Sequence, residues 1–184
     1  MDIWLISDTH FNHDQMMYFR DWNGNLTRPG FTSVEEMNEY MIDNWNSVVK
    51  PGDQVWHLGD VIFGDSKVRW METNWKRLKG FKHLVVGNHD NISMICAYQW
   101  FHSVNMWKHF KDFNMLCTHV PLHQGSLKRP INADGKTSAE NLIWEDAINV
   151  HGHIHSNPSP EGPYINVSVE QINYTPINIE EIKL

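Results

Sequence analysis

The segment His83-Leu84-Val85-Val86-Gly87-Asn88-His89-Asp90 joins a short apolar run directly to a polar cluster. A short apolar run that ends abruptly at a glycine is typical of a buried strand. The residues after the glycine carry amide, imidazole and carboxylate groups. This segment therefore predicts a strand whose end presents chemically reactive side chains, and the same arrangement recurs along the chain.

Four further apolar runs are followed closely by polar motifs. The runs are Ile3–Ile6, Val55–Leu58, Met115–Cys117 and Ala147–Val150. The motifs that follow them are Asp8-Thr9-His10, Gly59-Asp60, Thr118-His119 and Gly152-His153-Ile154-His155. In an α/β sheet, side chains just beyond the carboxyl ends of neighbouring strands converge on one crevice. We therefore expect these five separate segments to meet.

Helical patterns lie between the predicted strands. Ser33-Val34-Glu35-Glu36 is a capping box, and the helix that it opens is expected to end at Pro51-Gly52. A second helix is predicted from Ser66 to Leu78. The alternating segments Tyr164–Val169 and Ile172–Ile179 predict strands of a second or mixed sheet. This order of elements indicates an α/β fold.

Length and composition are those of a globular protein. With 184 residues, 41% hydrophobic and 20% charged, residues 1–184 are predicted to form a single domain. The formal net charge of -7 disfavours stable binding of duplex nucleic acid. The two cysteines form no CxxC pair, and no apolar run approaches the roughly 20 residues of a membrane helix. We expect a cytoplasmic protein that does not enter a membrane, and the sequence leaves its oligomeric state open.

The motifs, taken in order, resemble the calcineurin-like metallophosphoesterase superfamily. Its pattern runs D-x-H, G-D, G-N-H-D or G-N-H-E, a lone His and then G-H-x-H, and every member is present between Asp8 and His155. The resemblance implies an α/β sandwich of two mixed β-sheets flanked by helices, an αββα arrangement. The compact chain looks like the small bacterial and bacteriophage phosphoesterases of this superfamily.

The resemblance also implies two divalent metal ions, with Mn²⁺ expected first and Fe, Zn, Ni or Mg as alternatives. Carboxylate and neutral imidazole ligands suit such metals, and the absence of nearby cysteines argues against a thiolate site. A carboxylate shared by both ions would offset their repulsion, and Asp60 has that place in the family pattern. Carried over to this sequence, the ligands are Asp8, His10, Asp60 and His155 for one ion, and Asp60, Asn88, His119 and His153 for the other.

His89 stays outside this ligand set, and in the family the corresponding residue faces the scissile phosphate as a proton donor. Asp90, directly after it, is predicted to assist catalysis by orienting or charging that imidazole. Glycines precede three of the ligands and fit sharp turns where the backbone approaches a cluster closely. They are Gly59, Gly87 and Gly152.

The segment from Pro121 to Asn141 directly follows the region of His119 and is rich in Gly, Lys, Asn and Ser, so it is predicted to select the substrate. Basic groups in loops near the motifs could bring positive charge to a bound phosphate, although solvated loop charge explains them equally well. The predicted substrate-binding residues are His123, Lys128, Arg129 and Arg28.

The second motif departs from that of the phosphoprotein phosphatases, which continue as G-D-x-V-D-R-G. Phe63 and Gly64 stand here in place of the Asp and the Arg that grips phosphate, which disfavours protein dephosphorylation. The sequence therefore predicts a phosphodiesterase whose partner is a small phosphoester substrate, such as a nucleotide or cyclic nucleotide. The alternatives are a phosphomonoesterase and a non-catalytic scaffold that binds a protein partner.

Tryptophans and one histidine outside the motifs have simpler explanations. Those within the predicted helices and strands are expected to pack in the core, and so is His57. Four other tryptophans are not assigned a place, and one of them could line a pocket for a nucleobase. They are Trp22, Trp100, Trp107 and Trp144.

Overall fold

The computed structural model describes residues 1–127 and 147–183. Within these residues, strands alternate with helices along the chain. The strands are β1 (Ile3–Ile6), β2 (Gln54–His57), β3 (Phe81–Val85), β4 (Ser103–Asn105), β5 (Lys108–Phe110), β6 (Met115–Cys117), β7 (Ile148–His151), β8 (Tyr164–Asn166) and β9 (Ile177–Asn178). The α-helices are α1 (Val34–Val48), α2 (Lys67–Asn74) and α3 (Ile92–Tyr98).

The strands form two mixed sheets. The first sheet has the order β4-β3-β2-β1-β9, in which β1 to β4 are parallel and β9 is antiparallel to β1. The second sheet has the order β5-β6-β7-β8, in which β6 to β8 are parallel and β5 is antiparallel to β6. The predicted α/β fold with two mixed sheets is therefore confirmed.

An apolar core lies between the sheets and a second one beneath the helices. Leu5 of β1, Cys117 of β6 and Val150 of β7 belong to the same buried cluster, which joins the two sheets. Because side chains alternate across a strand, the neighbouring Ile6 faces the other side, where it belongs to a cluster with Trp45 of α1. Among residues 1–127 and 147–183, the layers are thus helices, first sheet and second sheet.

Helix α1 begins where the capping box predicts. The Ser33 hydroxyl accepts a hydrogen bond from the Glu36 N–H at 3.1 Å, which satisfies one of the free donors of the first turn. Met37, Met41 and Trp45, spaced four residues apart, are buried on one face. That face covers the first sheet and fixes the layer from which three of the ligand-bearing strands emerge.

The C-terminal strands are shorter than the alternating pattern predicts. Asn173 and Tyr174 have positive φ values of 50° and 56°, and the Tyr174 N–H donates to the Val169 carbonyl, so the chain turns instead of continuing as a strand. Within residues 1–127 and 147–183, none of the helices combines the length and apolar character needed to cross a bilayer.

Candidate metal centre

The structure brings all seven predicted ligands together in two groups, each collected from the carboxyl ends of different strands. The first group consists of Asp8, His10 and His155, and the second group consists of Asp60, His119 and His153, with ligand atoms within 4.8 Å of one another in each. Asn88 joins the second group, because its Oδ1 lies 2.8 Å from His119 Nε2 and 2.9 Å from His153 Nδ1.

Asp60 lies between the two groups. Its Oδ2 is 3.3 Å from His119 Nε2 and 3.6 Å from His10 Nε2, while its Oδ1 accepts a hydrogen bond from the His89 N–H at 2.8 Å. Burial raises the pKa of Asp60, but the hydrogen bond and charge of His119 more than offset this, so the pKa lies below its ordinary value. An ionised carboxylate in this position fits a ligand shared by two cations.

The donor atoms of the first group fit a divalent cation. Asp8 Oδ2 accepts hydrogen bonds from the His153 N–H at 2.8 Å and the Ser168 hydroxyl at 3.0 Å. In contrast, Asp8 Oδ1 and both ring nitrogens of His10 are buried without a hydrogen-bond partner among the described residues. Buried polar atoms without partners are costly, and a cation would satisfy these lone pairs.

Glu170 supports the first group from behind, and it is not identified from the sequence. Its Oε1 accepts hydrogen bonds from His155 Nδ1 at 3.0 Å and from Arg28 Nε at 2.7 Å. Because Nδ1 of His155 donates to Glu170, Nε2 is left as the metal-ligating atom. Burial raises the pKa of Glu170, but the charges of Arg28 and His155 bring it down to about 2.

The structure corrects the prediction that Arg28 binds the substrate. Arg28 is only 1% exposed, and its guanidinium donates to the carbonyls of Asp8 at 2.5 Å and Thr9 at 2.9 Å as well as to Glu170. The buried carboxylate of Glu170 needs a counter-charge, and Arg28 supplies it. Arg28 therefore holds the loop that carries the first two ligands instead of facing the phosphate.

The second group is oriented mainly by backbone contacts. His119 Nδ1 lies 2.8 Å from the Leu58 carbonyl, to which it donates, so its Nε2 faces Asp60 and Asn88. Burial lowers the pKa of His119, but the hydrogen bond and charge of Asp60 raise it to about 9. A metal ion must therefore displace a proton from this ring when it binds.

Left-handed backbone marks most of the ligand residues. Residues other than glycine seldom adopt positive φ, and each such residue costs about 1–3 kcal/mol. The conformation directs side chains from tight strand-end loops towards one point, and the hydrogen bonds described above hold it. The φ values are 57° for Asp8, 45° for His10, 56° for Asp60, 70° for His153 and 51° for His155.

The predicted need for glycine before the ligands is confirmed. A Cβ atom at Gly87 would collide with the side chain and N–H of Asp60, and one at Gly152 would collide with the carboxylate of Asp8. Gly59 has a φ of +99°, and a Cβ there would lie 2.6 Å from the backbone of Gly87. Glycine at these positions lets the strand-end loops pack against one another.

His89 is exposed beside the first group. Its ring centroid lies 5.7 Å from that of His10 and 5.4 Å from that of Phe63, both in edge-on contacts. These contacts place the imidazole beside His10, and His89 belongs to neither ligand group. The placement suits the predicted proton donor, and that role stays a prediction.

Asp90 is placed differently from the expectation. Its carboxylate accepts hydrogen bonds from the backbone N–H groups of Asp60 at 3.0 Å, Val61 at 3.0 Å and Gly87 at 2.8 Å. Burial raises the pKa of Asp90 above its ordinary value. The side chain joins two ligand-bearing loops instead of orienting the imidazole of His89, which corrects the catalytic role predicted for it.

His123, another predicted substrate residue, lies at the start of a short 3₁₀ helix. His123 is exposed, and its Nδ1 accepts a hydrogen bond from the Gly125 N–H at 3.1 Å, so it caps a short 3₁₀ helix. Its role towards substrate stays a prediction. Lys128 and Arg129, like the rest of the predicted substrate loop up to Asn141, lie outside the described residues.

A sequence signal existed for the supports that the motifs miss. Ser168 and Glu170 follow the apolar run that begins at Tyr164, just as the ligand motifs follow the other strands. His57 is buried as predicted, and its ring links the Thr9 hydroxyl to the Gly59 N–H. Polar residues just after β8 therefore belong to the centre as well.

The fold and the two ligand groups define a protein with a centre for two metal ions at the strand ends of a two-sheet α/β sandwich. The model of the family described as calcineurin-like phosphoesterase matches residues 1–176. The chain belongs to the calcineurin-like phosphoesterase family. Family membership and the two ligand groups together indicate metal-dependent phosphoester hydrolysis with a pair of divalent ions.

Similar proteins come from an archaeon, a bacteriophage and a bacterium. The chain is 34% identical over 187 residues to an uncharacterised protein of Methanocaldococcus jannaschii, covering 98% of this chain and 88% of that protein. It is 36% identical over 88 residues to the gene 66 protein of Mycobacterium phage L5, covering 47% of this chain and 39% of that protein. The crystal structure of AQ665, a protein of unknown function from Aquifex aeolicus, matches with a TM-score of 0.65 and 28% identity over 98% of this chain and 96% of that chain.

Proposed function

We propose that this protein is a phosphodiesterase that hydrolyses a small phosphodiester, such as a nucleotide ester, with two divalent ions, Mn²⁺ first among them. The observation that carries the proposal is that apolar surface flanks the metal centre on two sides. A diester has organic groups on two phosphate oxygens, whereas a monoester has only one. Two flanking surfaces therefore favour a diester.

Aromatic side chains form the flank beside the first group. The His13 ring lies 5.5 Å from that of His10, stacks on Phe63 at 4.1 Å and meets the edge of Phe19 at 5.7 Å. Phe63 is 37% and Phe19 47% exposed, so the flank reaches solvent. An organic substituent of the phosphate can pack against these rings.

A cavity forms the flank beside the second group. It has a volume of about 710 Å³, and Asn88 and His119 line it together with mainly apolar residues. Ligand pockets of proteins commonly have volumes of roughly 300–1,000 Å³ and apolar walls with a few polar groups. The cavity is thus large enough for the second substituent of a diester.

The residues of the centre have separate tasks in this reaction. Two divalent ions held by these groups would supply hydroxide near neutral pH and stabilisation of charge on the phosphate oxygens. Asp60 holds the two ion positions together, and Asp90 and Arg28 keep the ligand loops in register through backbone hydrogen bonds. His89, outside both groups, donates a proton to the leaving oxygen.

The diester preference is tested with matched pairs of a diester and a monoester. Metal-stripped protein is reconstituted with Mn²⁺, Zn²⁺, Ni²⁺ or Mg²⁺ and assayed on bis(p-nitrophenyl) phosphate and p-nitrophenyl phosphate, then on a cyclic nucleotide and the monoester that it yields. We expect kcat/KM to be at least about tenfold higher for each diester, a difference of about 1.4 kcal/mol in barrier. An equal or higher value for the monoesters would refute the diester preference. Absence of turnover with every metal would refute hydrolysis and favour the scaffold.

The role of His89 has its own test. His89→Ala should retain its metal ions but lose about 10²–10⁴-fold in turnover of a diester with a poor leaving group, the usual scale of general acid catalysis. The loss should be smaller for a p-nitrophenyl ester, whose leaving group needs little protonation. His102→Ala, which changes another exposed histidine, is the control. Unchanged turnover of the unactivated diester would remove His89 from the chemical step.

A further inference from the structure

The cavity beside the second group has a lining that indicates what part of the substrate it receives. We propose that it binds an uncharged planar ring of nucleobase size, attached through a short linker to the phosphate at the metal centre. The inference rests on the proposed phosphoester hydrolysis and adds the chemical class of one substituent.

The position of the cavity ties it to the phosphate. Asn88 and His119 form part of its wall, and their side chains are in contact at 2.8 Å within the second group. A substituent of a phosphate bound at that group therefore reaches the cavity directly. The volume of about 710 Å³ leaves room for a ring and its linker.

The lining of the cavity presents large apolar side chains to solvent. Ile92 is 46%, Met106 69%, Trp107 46% and Val120 47% exposed, and all four line the same cavity. A cluster of exposed large apolar side chains marks a binding surface more often than chance exposure. The indole and the thioether both make favourable contacts with aromatic rings, which favours a planar ring over an alkyl chain.

Trp107 thus receives a place that the sequence leaves open for four tryptophans. Trp100 packs against the core beneath the first sheet, and Trp22 is 72% exposed and does not line the cavity. Trp144 lies outside the described residues. Among those the structure describes, Trp107 is the tryptophan positioned to meet a ring held at the second group.

The charge of the lining favours an uncharged substituent. Among the described lining residues there is no Lys or Arg, and the one carboxylate belongs to Asp90. That carboxylate already accepts three backbone hydrogen bonds, from Asp60, Val61 and Gly87. An anionic substituent would lose hydration in this cavity without gaining a Lys or Arg partner, and a cationic one would meet a carboxylate already engaged in these bonds.

The cavity wall is held in place before a ligand arrives. Asn149 is fully buried, its Oδ1 accepts from the Leu122 N–H at 2.8 Å, and its Nδ2 donates to the Leu116 carbonyl and the Thr118 hydroxyl, both at 2.9 Å. These bonds tie the segment after His119 to β7. A preformed wall avoids the entropy of ordering a loop on binding.

The experiment compares two ligands that share a sugar phosphate and differ in the ring. Binding of AMP and of ribose-5-phosphate to Mn²⁺-loaded protein is measured by titration calorimetry, which does not require turnover. We expect AMP to bind at least about tenfold more tightly, within the range for stacking of one base on aromatic side chains. Octyl phosphate tests an alkyl occupant in the same way.

Two variants at the cavity and one matched control test whether the tighter binding of AMP depends on the cavity. Ile92→Ser and Met106→Ser should each remove at least about threefold of the AMP advantage and leave ribose-5-phosphate binding unchanged, because they reduce the apolar lining. Tyr98→Ser should keep the advantage, since Tyr98 is 47% exposed at the other end of α3 and does not line the cavity.

Three results of these binding experiments would bear on the ring site. Equal binding of AMP and ribose-5-phosphate, or an AMP advantage that both cavity variants retain, would overturn the ring site. Tighter binding of octyl phosphate than of AMP would replace the planar ring with an alkyl group. If the protein binds AMP as expected but hydrolyses no ester, the proposed function fails while the ring site stands.

Discussion

The two ligand groups have similar chemistry but are held in different ways. The first group is backed by buried ionic side chains, with Glu170 joining His155 to Arg28. The second group is held by backbone contacts and borders the open cavity, and its Asn88 is exposed. The first ion position thus depends on a long-range charge pair, whereas the second depends on short strand-end turns.

Because the two groups are held differently, substitutions near them should have different effects on metal binding. A change in the buried pair should act on the first group alone. A substitution in the turn that carries Asn88 should mainly lower metal affinity at the second group. It should lower affinity at the first group only by displacing Asp60. The carboxylate of Asp60 is the element that the two arrangements share, with its Oδ2 within 3.6 Å of a histidine from each group.

The largest effect is expected where the two groups meet. Asp60→Ala should abolish tight binding of both metal ions and lower kcat/KM by at least about 10⁴-fold, because the ions supply several kcal/mol of transition-state stabilisation. Metal analysis after gel filtration and steady-state kinetics measure the two effects. Asp112→Ala, at an exposed aspartate, is the control. Two tightly bound ions in Asp60→Ala would contradict the shared role.

A selective effect is expected from the buried pair. Glu170→Gln should weaken metal binding at the first group by about 10–100-fold and leave the second group unchanged, because the outer partner of a ligating histidine sets its orientation and basicity. Titration with Mn²⁺, resolved into two affinities, measures this. Glu180→Gln changes an exposed carboxylate as the control. Equal weakening of both affinities would show that the groups are not supported independently.

The smallest effects are expected from adding one methyl group at Gly87 or at Gly152, in the turns before Asn88 and His153. Gly152→Ala and Gly87→Ala should each lower the free energy of unfolding by about 1–3 kcal/mol, the usual cost of overpacking. Gly152→Ala should weaken binding of the metal ion at the first group more than at the second, because its Cβ meets Asp8. Gly87→Ala should weaken binding at both groups, because its Cβ meets Asp60.

Denaturant unfolding and metal titration of the same samples check this pair. Gly52→Ala is the control, since a Cβ there has no neighbour within 4 Å. If Gly87→Ala and Gly152→Ala weakened the same single ion, the assignment of Asp60 to both groups would fail.

The sequence predicts the positions of the ligands well because a local rule governs them. Polar residues just after buried parallel strands meet at the carboxyl-end edge of the sheet. Each ligand motif directly follows its own strand, as Asp8 follows β1 and Asn88 follows β3. The glycines are predicted for the same reason. The two mixed sheets also follow from the strand pattern and the family resemblance.

The partners of buried charges are not predicted, because they are far apart in sequence. Arg28 and Glu170 are separated by 142 positions, and nothing near Arg28 distinguishes an inward guanidinium from a loop charge facing a phosphate. The sequence predicts that Asp90 acts on its neighbour His89, but in the fold its carboxylate accepts hydrogen bonds from three backbone N–H groups. Such choices depend on the packed geometry and not on local pattern.

The hydrogen bond between the Ser168 hydroxyl and Asp8 Oδ2 spans 160 positions of the chain. At a synthesis rate of about 5–20 residues per second, the ribosome needs roughly 8–30 s to make the segment between these two residues. During that time the nascent chain carries Asp8 without this partner, however well the first strands and helices have already folded. The first ligand group is therefore completed only late in the synthesis of the protein.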